Sequence, residues 1–197
     1  MLRSKIMLKR FITGSTLSLI VLFSLTQILH AAEGSVALGR YHTMLSLGAG
    51  TNSTGAFLKT NLLYNTDKGN TFDTGFGYNI DTNSLRIYPS VKVILTRYEE
   101  RLDGTSISLG FGGGALYHLD RYWSLYGKYH YGIECFSPKR ANSYHDINGG
   151  IRFTPISMLS LELGYRCTML HNKTPSNTYI PVEYIAKSPY LGVSVLF

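Results

Sequence analysis

Between residues 158 and 170 every second side chain is apolar. Leu159, Leu161, Leu163, Tyr165, Cys167 and Met169 share one parity, and Ser160, Glu162, Gly164, Arg166 and Thr168 share the other. A period of two is the signature of a strand with two unlike faces. The pattern recurs along the chain. Trp123, Leu125, Tyr129, Tyr131 and Ile133 oppose Ser124, Tyr126, Lys128, His130 and Glu134. Ile147, Ile151 and Phe153 oppose Asp146, Asn148 and Arg152, and Ile87, Val91, Val93 and Leu95 oppose Arg86, Ser90, Lys92 and Thr96. The last stretch puts Leu191, Val193, Val195 and Phe197 on one face, against Tyr190, Gly192, Ser194 and Leu196. Strands are predicted at 41–50, 55–64, 72–80, 85–97, 106–118, 123–135, 144–154, 158–170 and 189–197, most with the ~9–11 residues that a tilted membrane strand requires.

Alternation alone fits a soluble β-sandwich with its apolar face inward or a membrane barrel with its apolar face outward. The start of the chain separates them. Arg3, Lys5, Lys9 and Arg10 precede a mostly apolar stretch at 11–29, and Ala31-Ala32 offers small residues before Glu33. This is the plan of a secretory signal peptide, read as residues 1–32, with cleavage after Ala31 or Ala32 left open. A single transmembrane anchor is disfavoured by Thr13, Ser15, Thr16, Ser18, Ser24, Thr26 and Gln27 within the stretch. The remainder, 33–197, is one domain's worth of chain. It is rich in Tyr, Phe and Gly, and the whole chain has only 16% charged residues, where soluble proteins average ~25%. Four of the 19 Lys and Arg lie in the leader, so the mature part has 15 basic against 12 acidic residues, a net +3 rather than +7. No basic patch with interleaved aromatics remains to suggest nucleic-acid binding.

Connection lengths give the topology. Those at 51–54, 81–84, 119–122 and 155–157 are short, and those at 65–71, 98–105, 136–143 and 171–188 are longer. Bacterial barrels have short periplasmic turns and long external loops, which places Phe197 on the periplasmic side. A further strand at 34–39, extending back toward Ala31, must then precede residue 41. The expected fold is all-β: a closed antiparallel transmembrane β-barrel of about ten strands, with eight as the alternative, following a cleaved signal peptide. A barrel also leaves no unpaired edge in lipid.

The C-terminal half carries an ordered series: Gly112-Gly113-Gly114, then Leu125-Tyr126-Gly127-Lys128-Tyr129-His130-Tyr131, then Gly149-Gly150-Ile151-Arg152-Phe153-Thr154, Leu159 to Arg166, and Ser188 to Phe197. It resembles the YfaZ-like family of small outer-membrane proteins, closely from about residue 106 onward and more loosely from 34 to 96. The resemblance implies a barrel in the outer membrane of a Gram-negative bacterium and brings no catalytic residues. The segment 172–187 and Cys167 are departures from the family pattern.

The inward row holds Lys59, Asp73, Arg86, Lys92, Lys128, His130, Glu134, Asp146, Arg152, Glu162 and Arg166. Small barrels are filled by their side chains and buried charges require partners, so these residues read as a salt-bridged interior polar network. Arg152 with Glu162, and Lys128 with Asp146, are the expected pairs. Six basic against four acidic residues, with His130 set aside, would favour anions slightly if water passed. Ser124 and His130 are six positions apart on one strand, roughly 20 Å at ~3.3 Å per residue, and cannot form a catalytic dyad. His42, His118, His130, His145 and His171 have no compact ligand spacing, so neither a metal nor a cofactor is expected. Cys135 and Cys167 point outward on strands separated by a third, too far apart for a disulfide. Gly110, Gly112 and Gly114 form an inward glycine row that relieves crowding by large neighbours or permits strand curvature. In the loops, Lys68, Arg101, Lys139, Arg140, Lys173 and Lys187 suit either lipopolysaccharide phosphates or plain solvation.

The functional expectation is a non-enzymatic monomeric barrel, structural or a very narrow and weakly anion-preferring channel. It would be surrounded by outer-membrane lipid and delivered by the barrel-assembly machinery, which reads Phe197 as an assembly signal. A surface-interaction or adhesion protein acting through its external loops is the alternative, and a lipid-modifying barrel enzyme a third.

Overall fold

A computed structural model describes residues 32–65, 67–98, 104–136, 141–172 and 182–197. They form ten strands: β1 Ala32–Gly39, β2 Thr43–Ala49, β3 Gly55–Asn65, β4 Gly69–Thr82, β5 Leu85–Tyr98, β6 Gly104–His118, β7 Trp123–Phe136, β8 Ala141–Ile156, β9 Leu159–Asn172 and β10 Glu183–Leu196. Each pairs antiparallel with its sequence neighbours, and β1 pairs with β10 to close the barrel. Ten strands rather than eight is therefore correct. The short segment near residue 34 is a full member of the sheet, with a ladder running from Glu33↔Leu196 to Gly39↔Tyr190. Ala32, read as the end of the leader, is the first residue of β1. It exchanges backbone hydrogen bonds of 3.0 and 2.9 Å with Phe197. The rest of the predicted leader lies outside the described residues.

The parity read from the sequence holds. Leu163, Leu191, Phe197, Leu47 and Phe76 each keep more than half of their surface exposed on the outer face. A belt of this kind would be an aggregation hazard in water and is the expected surface in lipid. At the end of the barrel that holds Phe197, Trp123 stacks on Phe153 with centroids 4.7 Å apart, and Tyr122 lies 6.4 Å from the same ring. At the other end Tyr131, His145 and His171 form an edge-to-face row. Aromatic side chains thus mark both rims, as the two interfaces of a membrane barrel require.

The strands run further than the sequence suggests. β8 extends from Ala141 to Ile156 and β9 to Asn172, beyond the ~9–11 residues that cross the bilayer. This absorbs much of the predicted loops. The connection after β9 shrinks to 173–182, and the alternation of short and long connections is blunted, since 50–54 is longer than 66–68. The 173–182 connection remains the longest and sets the outer end. Arg101, Lys139, Arg140 and Lys173 lie outside the described residues. Lys68 is in a turn, whereas Lys187, read as a loop residue, is on the outer face of β10 with its ammonium 4.3 Å from the Tyr184 ring. Cys167 is a free thiol on the outer parity of β9, with β8 between it and β7; the Cys135 side chain lies outside the described residues.

Candidate functional site in the barrel lumen

Lys59, Asp73, Arg86, Lys92, Lys128, His130, Asp146, Arg152, Glu162 and Arg166 all line the lumen, as their parity requires. Glu134 keeps the same parity opposite Ser108 on β6, but its side chain lies outside the described residues.

At the periplasmic end the turn 50–54 is tied across the mouth. Asn79 donates from its amide to the carbonyls of Gly50, Thr51 and Ser53 at 2.9, 3.2 and 2.8 Å. Arg86 donates to the Thr51 and Asn52 carbonyls, both at 3.2 Å, and pairs with Asp81 at 2.5 Å. Gly50 makes the turn possible. Its φ is +74° and a Cβ there would sit 2.6 Å from the Ala56 carbonyl oxygen, a conformation disfavoured for other residues.

Above the mouth, Glu33 accepts from Thr51 Oγ1 at 2.6 Å and faces Lys59 at 3.8 Å. Arg152 donates through Nε and Nη2 to one Glu162 oxygen, at 2.9 and 2.6 Å, which bears out that pairing. Lys128 does not pair with Asp146. The ladder sets Lys128 against Asn148 and His130 against Asp146, so the expected contact is offset by one inward position. The Lys128 ammonium lies 5.6 Å from the Tyr126 ring centroid instead.

Asp146 is the hub of the middle of the lumen. Arg166 grips both of its oxygens at 3.1 and 2.9 Å, Lys92 reaches it at 3.1 Å, and Thr168 donates to it at 3.0 Å. Lys92 also faces Asp73 at 3.8 Å, and Arg166 reaches the Met44 sulfur on β2. These contacts join β4, β5, β8, β9 and β2 and so cross the barrel. A buried charge cluster is worth little net stability, because desolvation offsets attraction, but removal of one member leaves the rest uncompensated. Beside it, Tyr126 donates to the Tyr190 hydroxyl at 2.5 Å, and Tyr190 donates to Asn148 Oδ1 at 2.8 Å. Gly150 and Gly164 make room for this chain. A Cβ at Gly150 would lie 2.8 Å from the Tyr126 hydroxyl, and one at Gly164 would run into that hydroxyl and lie 2.8 Å from the Tyr190 hydroxyl. The inward row of Gly110, Gly112 and Gly114 acts likewise. Gly114 lies under the Tyr88 ring, and Gly112 meets the backbone of Tyr129 and His130.

The outer half of the lumen is apolar, which the sequence reading did not anticipate. Leu63, Ile94, Tyr144, Leu170, Ile185 and Ala186 form one cluster, each no more than 2% exposed, with Met44 packed against it. Four of them carry a legible signal: Leu63 shares parity with Lys59, Ile94 with Lys92, Tyr144 with Asp146 and Leu170 with Arg166. Ile185 carries none. The ladder to β9 shifts between Tyr184 and Ala186, and this bulge turns two successive residues, Ile185 and Ala186, inward. Above the cluster Asn65 donates across the lumen to the Ile185 carbonyl at 2.6 Å. His42, in the β1–β2 turn, shares a hydrogen bond of 3.2 Å with Ser188 and packs edge-on to Tyr190. Burial holds the His42 imidazole below the usual histidine range; the Arg166 charge acts the same way and the Asp146 charge opposes it.

By parity alone, six basic residues face inward against four acidic ones. Glu33 in the lumen and Asp81 at the mouth, which face Lys59 and Arg86, add two acidic groups and weaken that cationic bias. Three Ser–His contacts join different strands or turns and so have no sequence spacing to announce them, Ser90 with His130 at 2.8 Å, Ser124 with His118 at 2.9 Å and Ser188 with His42, and a fourth, Ser143 with His145 at 3.4 Å, lies within β8. Among the described residues none of these imidazoles has a hydrogen-bonded carboxylate to orient it, and no group of three metal-ligating side chains occurs.

A closed ladder without a free edge, an apolar belt outside and a charged lumen inside define an outer-membrane β-barrel protein. The chain belongs to the YfaZ family: the family described as YfaZ precursor matches residues 8–197. It is 29% identical over 159 residues to the outer membrane protein YfaZ of Escherichia coli (strain K12), covering 81% of this chain and 84% of that one. Among solved structures it is similar to the NanC porin, with a TM-score of 0.49, 9% identity and coverage of 85% of this chain and 98% of that one. It is also similar to the KdgM porin, with a TM-score of 0.45, 12% identity and coverage of 85% and 99%.

Proposed function

We propose that this chain is a non-enzymatic, monomeric barrel whose lumen is a blind cavity. The cavity opens to the periplasm and is shut toward the cell exterior. The observation that supports this most is the apolar cluster, in which side chains from β3 and β5 meet side chains from β8, β9 and β10 across the lumen. The Asp146 hub beneath it adds a second crossing layer. A narrow channel is the neighbouring reading and requires both layers to part. The enzymatic reading lacks support because none of the Ser–His contacts has an orienting acid among the described residues. On this account Phe197 serves assembly, and the loop cations read from the sequence serve contact with lipid headgroups. Proteoliposomes test the proposal: small sugars and amino acids should not equilibrate across them faster than across protein-free vesicles, and their phospholipid should remain intact. Rapid swelling in isosmotic solute, or release of fatty acid, would refute it.

A further inference from the structure

Beneath the closure the lumen holds a cavity of about 120 Å³. It adjoins a wider vestibule of about 300 Å³ at the mouth, with Glu33, Asn52, Arg86, Leu116 and Arg152 lining both. Six cations line the cavity, Lys59, Arg86, Lys92, Lys128, Arg152 and Arg166. Five of them have carboxylate partners: Glu33, Asp81, Asp73 with Asp146, Glu162 and Asp146 respectively. Lys128 has none within ion-pair distance among the described residues.

The groups around Lys128 fit a particular kind of anion. Its partner across the β7–β8 ladder is Asn148, and opposed side chains on paired strands start ~4.5–5.5 Å apart at Cβ. Asn148 is buried, and its carbonyl oxygen is taken by the Tyr190 hydroxyl. The amide therefore turns its NH2 away from Tyr190, with hydrogens to donate. An ammonium and an amide on facing positions offer two donors to two oxygens. Tyr126 places a ring beside the ammonium, and the Tyr88 ring packs over Gly114, the position next to it on β6. The room is far below the ~300–1,000 Å³ of drug-sized ligand pockets.

We propose that this cavity is a binding site for a small carboxylate entering from the periplasm, with one oxygen on Lys128 Nζ and the other on Asn148 Nδ2. The site rests on the reading of the lumen as a periplasm-facing cavity. A carboxylate bound there would give Lys128 the ion-pair partner that it lacks among the described residues, and a cation without one is costly to bury.

The test uses the whole mature barrel, refolded in detergent with 13C-labelled lysine, and acetate as probe. The Lys128 Cε resonance, identified by its loss in Lys128→Arg, should move saturably with acetate and much less with chloride at equal ionic strength. Broadening of labelled acetate should be retained in Lys128→Arg and fall at least tenfold in Lys128→Met. No shift in the native protein, or an equal shift with chloride, overturns the site. So does undiminished broadening in a Lys128→Met variant that still shows heat-modifiable mobility. The native-protein titration decides the matter even if Lys128→Met fails to fold. A barrel that passes solutes but still binds acetate refutes the blind lumen and not the site; a tight barrel indifferent to acetate refutes the site alone.

Discussion

Arg166 binds Asp146 with two N–H donors, Nε to Oδ1 at 3.1 Å and Nη2 to Oδ2 at 2.9 Å, on adjacent strands in the middle of the lumen. Fork-to-fork geometry makes this a strong charge-assisted contact, and Lys92 completes it from across the barrel. Asp146→Ala should therefore strand two cations and cost about 3–5 kcal/mol. The readout is the temperature at which the folded, fast-migrating gel band converts to the unfolded one. Arg152→Ala, which frees a single Glu162 nearer the open mouth, should lower that temperature less.

The tyrosine chain predicts a contrast between glycines. Gly164→Ala places a methyl group where Tyr126 and Tyr190 meet and should cost about 1–3 kcal/mol, the range for overpacking a fitted core. Gly127→Ala on the outer face meets nothing within 4 Å and should change stability by less than about 0.5 kcal/mol. Urea titration of both variants in the same vesicles compares them directly.

How much of this was legible follows from particular residues. The period of two, carried by residues such as Leu161, Leu163 and Tyr165 against Glu162, Gly164 and Arg166, determined the strands, their faces and the even closure. The Arg152–Glu162 pair followed because two strands joined by a tight turn have a nearly fixed register. Lys128 with Asp146 did not follow, since β7 and β8 are joined by a longer connection and one two-residue slip redirects every inward pair. Lumen-crossing contacts such as Asn65 with Ile185, or Lys92 with Asp146, depend on barrel closure and have no sequence spacing to announce them. The apolar closure was hidden for the same reason. Leu63, Ile94 and Tyr144 stand far apart in the chain on rows whose other members are mostly polar, and only barrel closure brings them together.

His42 predicts a pH response. A histidine whose folded pKa lies below its unfolded value of about 6.5 binds fewer protons when folded, so acid favours unfolding. Its contribution is complete above that value and is lost as pH falls toward the lowered folded pKa. Native protein should lose more stability between pH 8 and pH 5 than His42→Gln, which keeps a polar group beside Ser188 without a titrating ring. Urea midpoints at the two pH values measure the difference; equal losses in both proteins would remove His42 from the account.

The outer face predicts a depth profile. Leu163, four residues above the periplasmic end of β9 and more than half exposed, should tolerate arginine poorly, at about 2 kcal/mol, between the interface and midplane values for a charge on the lipid face. Leu119, in the β6–β7 turn and equally exposed, should accept the same change at about 0–1 kcal/mol. Refolding yield and urea midpoint in vesicles report both.

The central claim is that Leu63, Ile94, Tyr144, Leu170 and Ile185 shut the outer half of the lumen. Single-molecule conductance in planar bilayers tests it most directly, with the native barrel compared to an Ile94→Ala, Tyr144→Ala double variant. The native protein should insert without discrete conductance steps, and the variant should show them once large side chains from two sides of the cluster are gone. Steady steps from the native barrel, unchanged in the variant, would contradict the claim.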